Sequence, residues 1–319
     1  MSSRHLVDPE LLPMLDRLPQ VALSQETLPA FRSRETALPL PSVVPNAVTR
    51  RDVAMRGPPG APDIGLVIYT PAGAGPFGCI YHIHGGGYVS GSAGSLEFMH
   101  RPLAEQLGCV IVSVDYRLAP ETCFPGNIED CHAGLVWVFK QADMLNVDRD
   151  RIGVMGESAG GGLAAALALL VRDRGEHRLA FQVLTYPMLD DRTCTADPHP
   201  FAGEFLWTPR NNAFGWTCLL GHAPRGEGVS PYAAPARAVD LSGLPPTFMM
   251  TGALDLFVDE NIDYARRLIR DGVPTEFHLY PGAFHAFDAW PDAQVSEGAR
   301  TNRSKALRRL LGRQGTQAA

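Results

Sequence analysis

Ser158 stands in Gly156-Glu157-Ser158-Ala159-Gly160, a G-x-S-x-G pentapeptide. A serine hydroxyl is a poor nucleophile until a base takes its proton and an orienting acid holds that base. In a chain with 32 glycines the pentapeptide alone carries little weight. Its flanks carry more. Residues 152–155 read as a buried strand, and Gly160-Gly161-Gly162 opens a stretch rich in alanine and leucine, so strand, sharp turn and helix follow one another as a nucleophile elbow requires. A serine at the tip of such a turn draws neighbouring backbone so close that the positions two before and two after it must lack a Cβ. The turn also aims Ser158 at the positive end of the next helix, where an oxyanion is favoured.

A second element is His84-Gly85-Gly86-Gly87, directly after the strand-like run 79–83. Glycines there let main-chain N–H groups converge, and with the N–H of Ala159 they would bind an oxyanion; the bland alternative is a flexible glycine loop. Ten histidines compete for the role of base. His285 follows the predicted strand 276–280 on a loop at its C-terminal end, where the sites of open parallel sheets gather, whereas His278 lies inside that strand and reads as packed. Asp255 likewise follows the predicted strand 247–251, with Asp259 and Glu260 as rival acids. The order Ser158, Asp255, His285 is that of an α/β-hydrolase.

Taken together these motifs resemble the hormone-sensitive-lipase-like branch of the α/β-hydrolases, which includes bacterial carboxylesterases and acetyl esterases. The likeness spans nearly the whole chain: His84 to Gly87 with Tyr88 after it, Asp115-Tyr116-Arg117-Leu118-Ala119-Pro120-Glu121 with Phe124-Pro125, the elbow, Tyr186-Pro187, Asp255 with Asp259-Glu260, and His285-Ala286-Phe287. The resemblance implies an oxyanion hole from Gly86, Gly87 and Ala159, supported by Gly85 and His84, an N-terminal cap, and no required metal or organic cofactor. The chain departs from the branch in Glu157, where Asp or Thr is usual, in Leu256-Phe257 for Pro-Leu, and in Ala286 for Gly. Glu157 reads as a carboxylate hydrogen-bonded to a neighbouring loop.

The elements that must position these residues are legible around them. Beyond Pro76, runs at 79–84, 109–115, 152–155, 181–185, 247–251 and 276–280 alternate with helical stretches at 96–107, 128–142, 159–173 and 262–270, which predicts an α/β fold with a mostly parallel sheet flanked by helices. Upstream, 48–55 and 64–70 read as strands of an antiparallel start, and Asp8-Pro9 opens a short amphipathic helix. Residues 28–46 are Pro-rich and weakly periodic. Segment 191–240 shows no strand but holds Phe201, Phe205, Trp207, Phe214 and Trp216, too aromatic for a disordered loop. The expected division is an N-terminal cap segment 1–46, a hydrolase core 47–190 and 241–319, and an inserted cap segment 191–240. Tyr88, Phe205, Trp207, Leu256 and Phe287 are the candidate pocket walls, with the cap aromatics otherwise forming the cap's own core. Arg117 and Glu121 read as ties for the loop beneath the site. His82 and His84 could face one way on a strand as a metal pair would, but no third ligand has matching spacing.

The 319 residues carry 28 Lys and Arg against 34 Asp and Glu, a formal charge of -6, with no basic run to track phosphates. Nucleic acid and membranes are therefore unexpected partners. The first residues lack the apolar stretch of a secretory signal, the longest apolar run, 163–171, is far short of about 18 residues, and the six cysteines form no C-x-x-C pair, so a soluble cytoplasmic protein is expected. The expected activity is that of a serine carboxylesterase, acting on a small-molecule ester with a short acyl chain through an acyl-enzyme. An acyltransferase or amidase could use the same triad, and a non-catalytic binder could use the same scaffold, although binders resembling this family lose the histidine that His285 supplies. The outer strand 276–280 and the helix after it offer a surface for a homodimer.

Overall fold

A computed structural model describes residues 2–17, 21–37, 47–194 and 199–312 of the chain. Eight strands form one sheet: β1 (Thr49–Met55), β2 (Ile64–Thr70), β3 (Phe77–Ile83), β4 (Cys109–Asp115), β5 (Val147–Glu157), β6 (Gln182–Thr185), β7 (Thr247–Gly252) and β8 (Thr275–Tyr280). Their order is β1-β2-β4-β3-β5-β6-β7-β8. The pairs β1/β2 and β2/β4 are antiparallel, and every pair from β4 to β8 is parallel. The core is thus an α/β-hydrolase fold.

Parallel strands carry near-continuous apolar runs because helices cover both faces of the sheet, and alternate side chains serve the two sides. In β4, Val110, Val112 and Val114 join one apolar core, while Cys109 and Ile111 join the other. The helices, in chain order, are α1 (Leu12–Arg17), α2 (Leu28–Ala37), α3 (Glu97–Leu107), α4 (Gly126–Lys140), α5 (Ala159–Arg174), α6 (Pro209–Leu220), α7 (Val258–Arg270) and α8 (Gln294–Leu311). One core takes Leu135 of α4, Leu167 of α5 and Leu268 of α7, and the other takes Leu103 of α3 and Leu307 of α8.

The chain runs from β3 out to β4 on one side and back to β5 on the other, so the C-terminal ends of β3 and β5 flank the switch point where open sheets bind ligands. His84 to Gly87 leave the end of β3, and Ser158 leaves the end of β5. That placement follows from strand order alone.

One segment differs from its sequence reading. The helix α2 occupies part of 28–46, where weak periodicity predicted none; residues 38–46 of that segment lie outside the described residues. The helix packs Leu28 and Phe31 on the core, and a charged residue anchors it as well. Arg32 donates to the carbonyl oxygens of Val89 and Ala119, at 2.6 and 2.8 Å, and to both carboxylate oxygens of Glu121. Glu121 therefore ties down the N-terminal segment, while Arg117 grips Asp130 of α4 with two bonds of 2.7 Å. Within 191–240, α6 begins on Thr208, whose side chain accepts from the N–H of Asn211, with Pro209 in the first turn. Asn211 stitches α6 to the N-terminal segment, accepting from the N–H of Leu23 at 2.9 Å and donating to the carbonyl of Val21 at 2.8 Å. No helix among the described residues is long and apolar enough to cross a membrane.

Candidate active site

The turn after β5 holds Ser158 at φ 56° and ψ -123°, a region that side chains with a Cβ rarely occupy. Tight packing imposes it. A Cβ at Gly156 would lie 2.2 Å from the carbonyl oxygen of Gly160, and one at Gly160 would lie 2.1 Å from that of Ile83. The carbonyl of Ser158 accepts from the N–H groups of Gly162 and Met188, both at 3.0 Å, which pins the turn against α5 and the chain leaving β6.

Ser158 Oγ lies 2.9 Å from His285 Nε2, and His285 Nδ1 lies 2.8 Å from Asp255 Oδ2. With the imidazole proton on Nδ1, that proton is donated to Asp255 and Nε2 accepts from the serine hydroxyl. All three residues are buried. Asp255 is fixed in turn by the N–H of Phe257, which donates to its Oδ1 at 3.0 Å. Aromatic rings set the plane of the imidazole: Tyr186 stands edge-on at 4.8 Å between centroids, and Phe257 is near-perpendicular at 5.3 Å. Ala286 takes φ 61°, so this chain accepts a left-handed residue with a Cβ where its resemblance would place glycine.

Gly86 and Gly87 adopt φ 109° and 61°. A Cβ on Gly86 would lie 2.2 Å from the carbonyl oxygen of Ser90, so the loop can fold back on itself only with glycine there. His84 supports the loop from below. Its ring stacks on Tyr116 at 4.3 Å, its Nδ1 donates to the carbonyl of Gly85 at 2.8 Å, and burial pushes its pKa down to about 4, leaving it neutral. Ala159 starts α5 beside these glycines, so its N–H belongs to the first turn, where helix donors have no partner within the helix.

Gly85, Gly86, Gly87, Ser158 and His285 all border one cavity of about 1310 Å³. The model for the alpha/beta hydrolase fold matches residues 80–289, a span holding the glycine loop, the elbow, Asp255 and His285. The chain belongs to the hormone-sensitive-lipase-like α/β-hydrolases, a family of carboxylic ester hydrolases. It is 32% identical over 310 residues to the esterase LipI of Mycobacterium tuberculosis, covering 96% of this chain and 95% of the relative. With an arylesterase of Saccharolobus solfataricus it shares 34% identity, covering 70% of this chain and 73% of that protein. Among solved structures, a bacterial heroin esterase superposes with a TM-score of 0.92 at 40% identity, covering 98% of this chain and all of that one, 100%.

The cavity of this hydrolase corrects the expected pocket walls. Trp207 does line it, with its ring 6.4 Å from that of His285. Tyr88, Phe205, Leu256 and Phe287 are not among the lining residues. Tyr88 has φ 68°, which turns its ring into the protein, where it packs on Trp216 and its hydroxyl donates to the carbonyl of Met188. Phe205 packs on Phe284, Phe287 on Tyr186 and Tyr280, and Leu256 against Gly203. The walls come instead from Val21, Leu23 and Phe31 of the N-terminal segment, from Leu206, and from Phe98 and Met99 of α3. None of these neighbours a catalytic candidate in sequence, which is why spacing did not single them out.

Glu157 also meets a different partner from the one expected. Its Oε2 accepts from His82 Nε2 at 2.8 Å, so the partner lies on strand β3 and not on a loop. Burial alone would raise its pKa, but His82 and Arg303 outweigh it and hold the carboxyl below its usual range. His82 is thereby occupied, its Nδ1 bonded to Ser113, and no group that could hold a metal ion occurs among the described residues. The rival acids stand apart from His285. Asp259 is exposed, and Glu260 accepts from the N–H of Leu189 and from Thr193. His278 bonds Glu276 within β8.

Proposed function

We propose that this ester hydrolase is a serine carboxylesterase acting on short acyl esters through an acyl-enzyme intermediate. The observation that carries the reading is the unbroken relay from Ser158 through His285 to buried Asp255, at 2.9 and 2.8 Å, opening onto a cavity walled by Gly85 to Gly87. Ser158 Oγ attacks the ester carbonyl carbon while His285 Nε2 takes the hydroxyl proton. Negative charge gathers on the former carbonyl oxygen, where the N–H groups of Gly86, Gly87 and Ala159 stabilise it. The alkoxide leaves with the proton returned by His285, and the acyl group stays on Ser158. Water, deprotonated by the same imidazole, then releases the acid. Asp255 keeps the proton on Nδ1, so that Nε2 is always the basic face.

A short acyl group is supported by the crowding beside the glycine loop. The ring of Trp207 stands directly over Gly87 and leaves little depth there. On the far side the cavity runs between α3 and α8, past Met99 and Arg303, which leaves space for a larger alcohol.

The test is hydrolysis of p-nitrophenyl esters from C2 to C12 by the wild type and by Ser158→Ala, with folding checked for both. The wild type is expected to prefer the short esters and the variant to lose kcat by roughly a thousandfold or more. Equal rates in the two proteins would remove Ser158 from the chemistry. A product ester formed with a competing alcohol would instead show the acyl-enzyme transferring its acyl group.

A further inference from the structure

One buried cation lies outside the relay and is tied to it. Arg303 of α8 is 4% exposed and sits on the buried stripe Ser296, Ala299, Ala306, Leu307, Leu310, where it is the one charged residue. A guanidinium buried there requires partners that repay its lost hydration. Its Nη1 donates to Asp288 Oδ2 at 2.9 Å, and its Nη2 faces the sulfur of Met99 at 3.6 Å. Asp288 Oδ1 in turn accepts from the hydroxyl of Tyr186 at 2.6 Å. Tyr186 is the residue whose ring edge rests on His285. Three contacts therefore lead from the last helix to the catalytic base.

Tyr186 needs such a clamp, because it follows β6 at φ 34°, a conformation that persists only where its surroundings enforce it. Its N–H bonds the carbonyl of Met250 at 2.6 Å and its hydroxyl bonds Asp288, so backbone and ring tip are both held. On the other side Arg303 acts electrostatically on Glu157, the residue before Ser158. The imidazoles of His82, His84 and His100 are buried as well, those of His82 and His100 with their centroids 4.2 Å apart.

We propose that Arg303 is a positioning residue for the catalytic base: through Asp288 and Tyr186 it fixes the ring of His285. The inference rests on the serine carboxylesterase reading above. Arg303 touches neither the nucleophile nor the base but borders the far side of the cavity, so a loss through positioning shows in kcat and a loss of substrate contact shows in KM.

The experiment compares wild type, Arg303→Met, Arg303→Lys and Tyr186→Phe by kcat and KM on p-nitrophenyl acetate. Thermal melting checks folding, and titration with an organophosphate ester counts reactive sites. In Arg303→Met, kcat per titrated site is expected to fall by about tenfold to a hundredfold, with KM within about threefold, as for a base displaced by a fraction of an ångström. Arg303→Lys, which returns the charge without the fork, recovers most of that loss. Tyr186→Phe keeps the ring and removes only its bond to Asp288, and should lose about threefold to tenfold in kcat. If Arg303→Met does not fold, Tyr186→Phe decides. Wild-type kcat per site in Tyr186→Phe overturns the proposal, as does a loss in Arg303→Met that vanishes once rates are divided by titrated sites. A wild type that is inert, or indifferent to Ser158→Ala, would sink the serine reading itself and is read separately from these ratios.

Discussion

Trp207 fills the space that a side chain on Gly87 would need: a Cβ built there would lie 2.1 Å from Trp207 Cη2. Gly87 also holds φ 61°, which costs an L-residue roughly 1–2 kcal/mol. The glycine loop and the indole are thus fitted to each other, and the loop proposed to bind the oxyanion is one of the two surfaces in contact. Gly87→Ala is expected to lower kcat/KM for a short ester by about 10²-fold or more, on the scale of a lost oxyanion donor. Trp207→Ala added to Gly87→Ala should recover part of that loss, because the clash is gone and only the strained φ remains. Strict additivity of the two changes, measured as a double-mutant cycle, would show that the two residues are not coupled.

Asp255 accepts from His285 Nδ1 at 2.8 Å while fully buried, so an amide in its place would present a donor where only an acceptor can hold the useful tautomer. Asp255→Asn should fold normally and lose kcat by about 10³- to 10⁴-fold. The rival acids give the control. Asp259→Asn, at an exposed position on α7, is expected within about twofold of wild type. A large loss at Asp259 with a small one at Asp255 would reverse the assignment of the acid.

How far the sequence was legible follows from which interactions are local. The parallel strands announce themselves because burial on both faces demands runs such as Cys109 to Val114, and the glycines of the elbow announce Ser158 because close backbone contacts exclude a Cβ. The pocket walls did not follow. Adjacency to a catalytic residue fixes where the backbone goes but not which way a side chain points, and Tyr88, at φ 68°, points into the core. The helix α2 escaped because Leu28 and Phe31, which pack on the core, make too short an apolar pattern to stand out, and the polar contacts of Arg32 to segments far away in sequence leave no periodic trace. Arg303 did leave one. A lone arginine among Ala299, Ala306 and Leu307 is a charge on a buried stripe, and such a charge calls for a partner.

Glu260 is buried, and burial pushes its pKa well above the usual carboxylate range despite the bonds from Leu189 and Thr193. A folded-state pKa raised above the unfolded value, about 4.3, means that the unfolded chain gives up its proton first as pH rises. The resulting cost to stability is absent below about pH 4 and grows as pH rises through that value toward the folded pKa. Glu260→Gln removes this dependence. Its melting temperature should match that of the wild type near pH 4 and exceed it by about 2 to 4 °C at pH 8. A variant less stable than the wild type at pH 8 would show that the ionised carboxylate is needed to hold Leu189 and Thr193.

The buried histidines act at the acid end of the range. Burial lowers the pKa of His100 well below its usual value and that of His84 to about 4, with neighbouring charges adding to the effect on His100. Both are therefore neutral in the fold, while in the unfolded chain they take up protons near pH 6.5. The sign is the reverse of that for Glu260: the unfolded state binds more protons between about pH 6.5 and 4, so stability falls as pH drops through that window. His100 makes this testable, because among the described residues neither ring nitrogen has a hydrogen-bond partner and its ring packs between Tyr69 and His82 as an apolar ring could. His100→Phe should leave activity at pH 8 within about twofold and flatten the decline in melting temperature between pH 6.5 and 4.5, as followed by calorimetry. If the slopes of variant and wild type coincide over that interval, the acid lability arises elsewhere, and His84, stacked beneath the glycine loop, becomes the next group to replace.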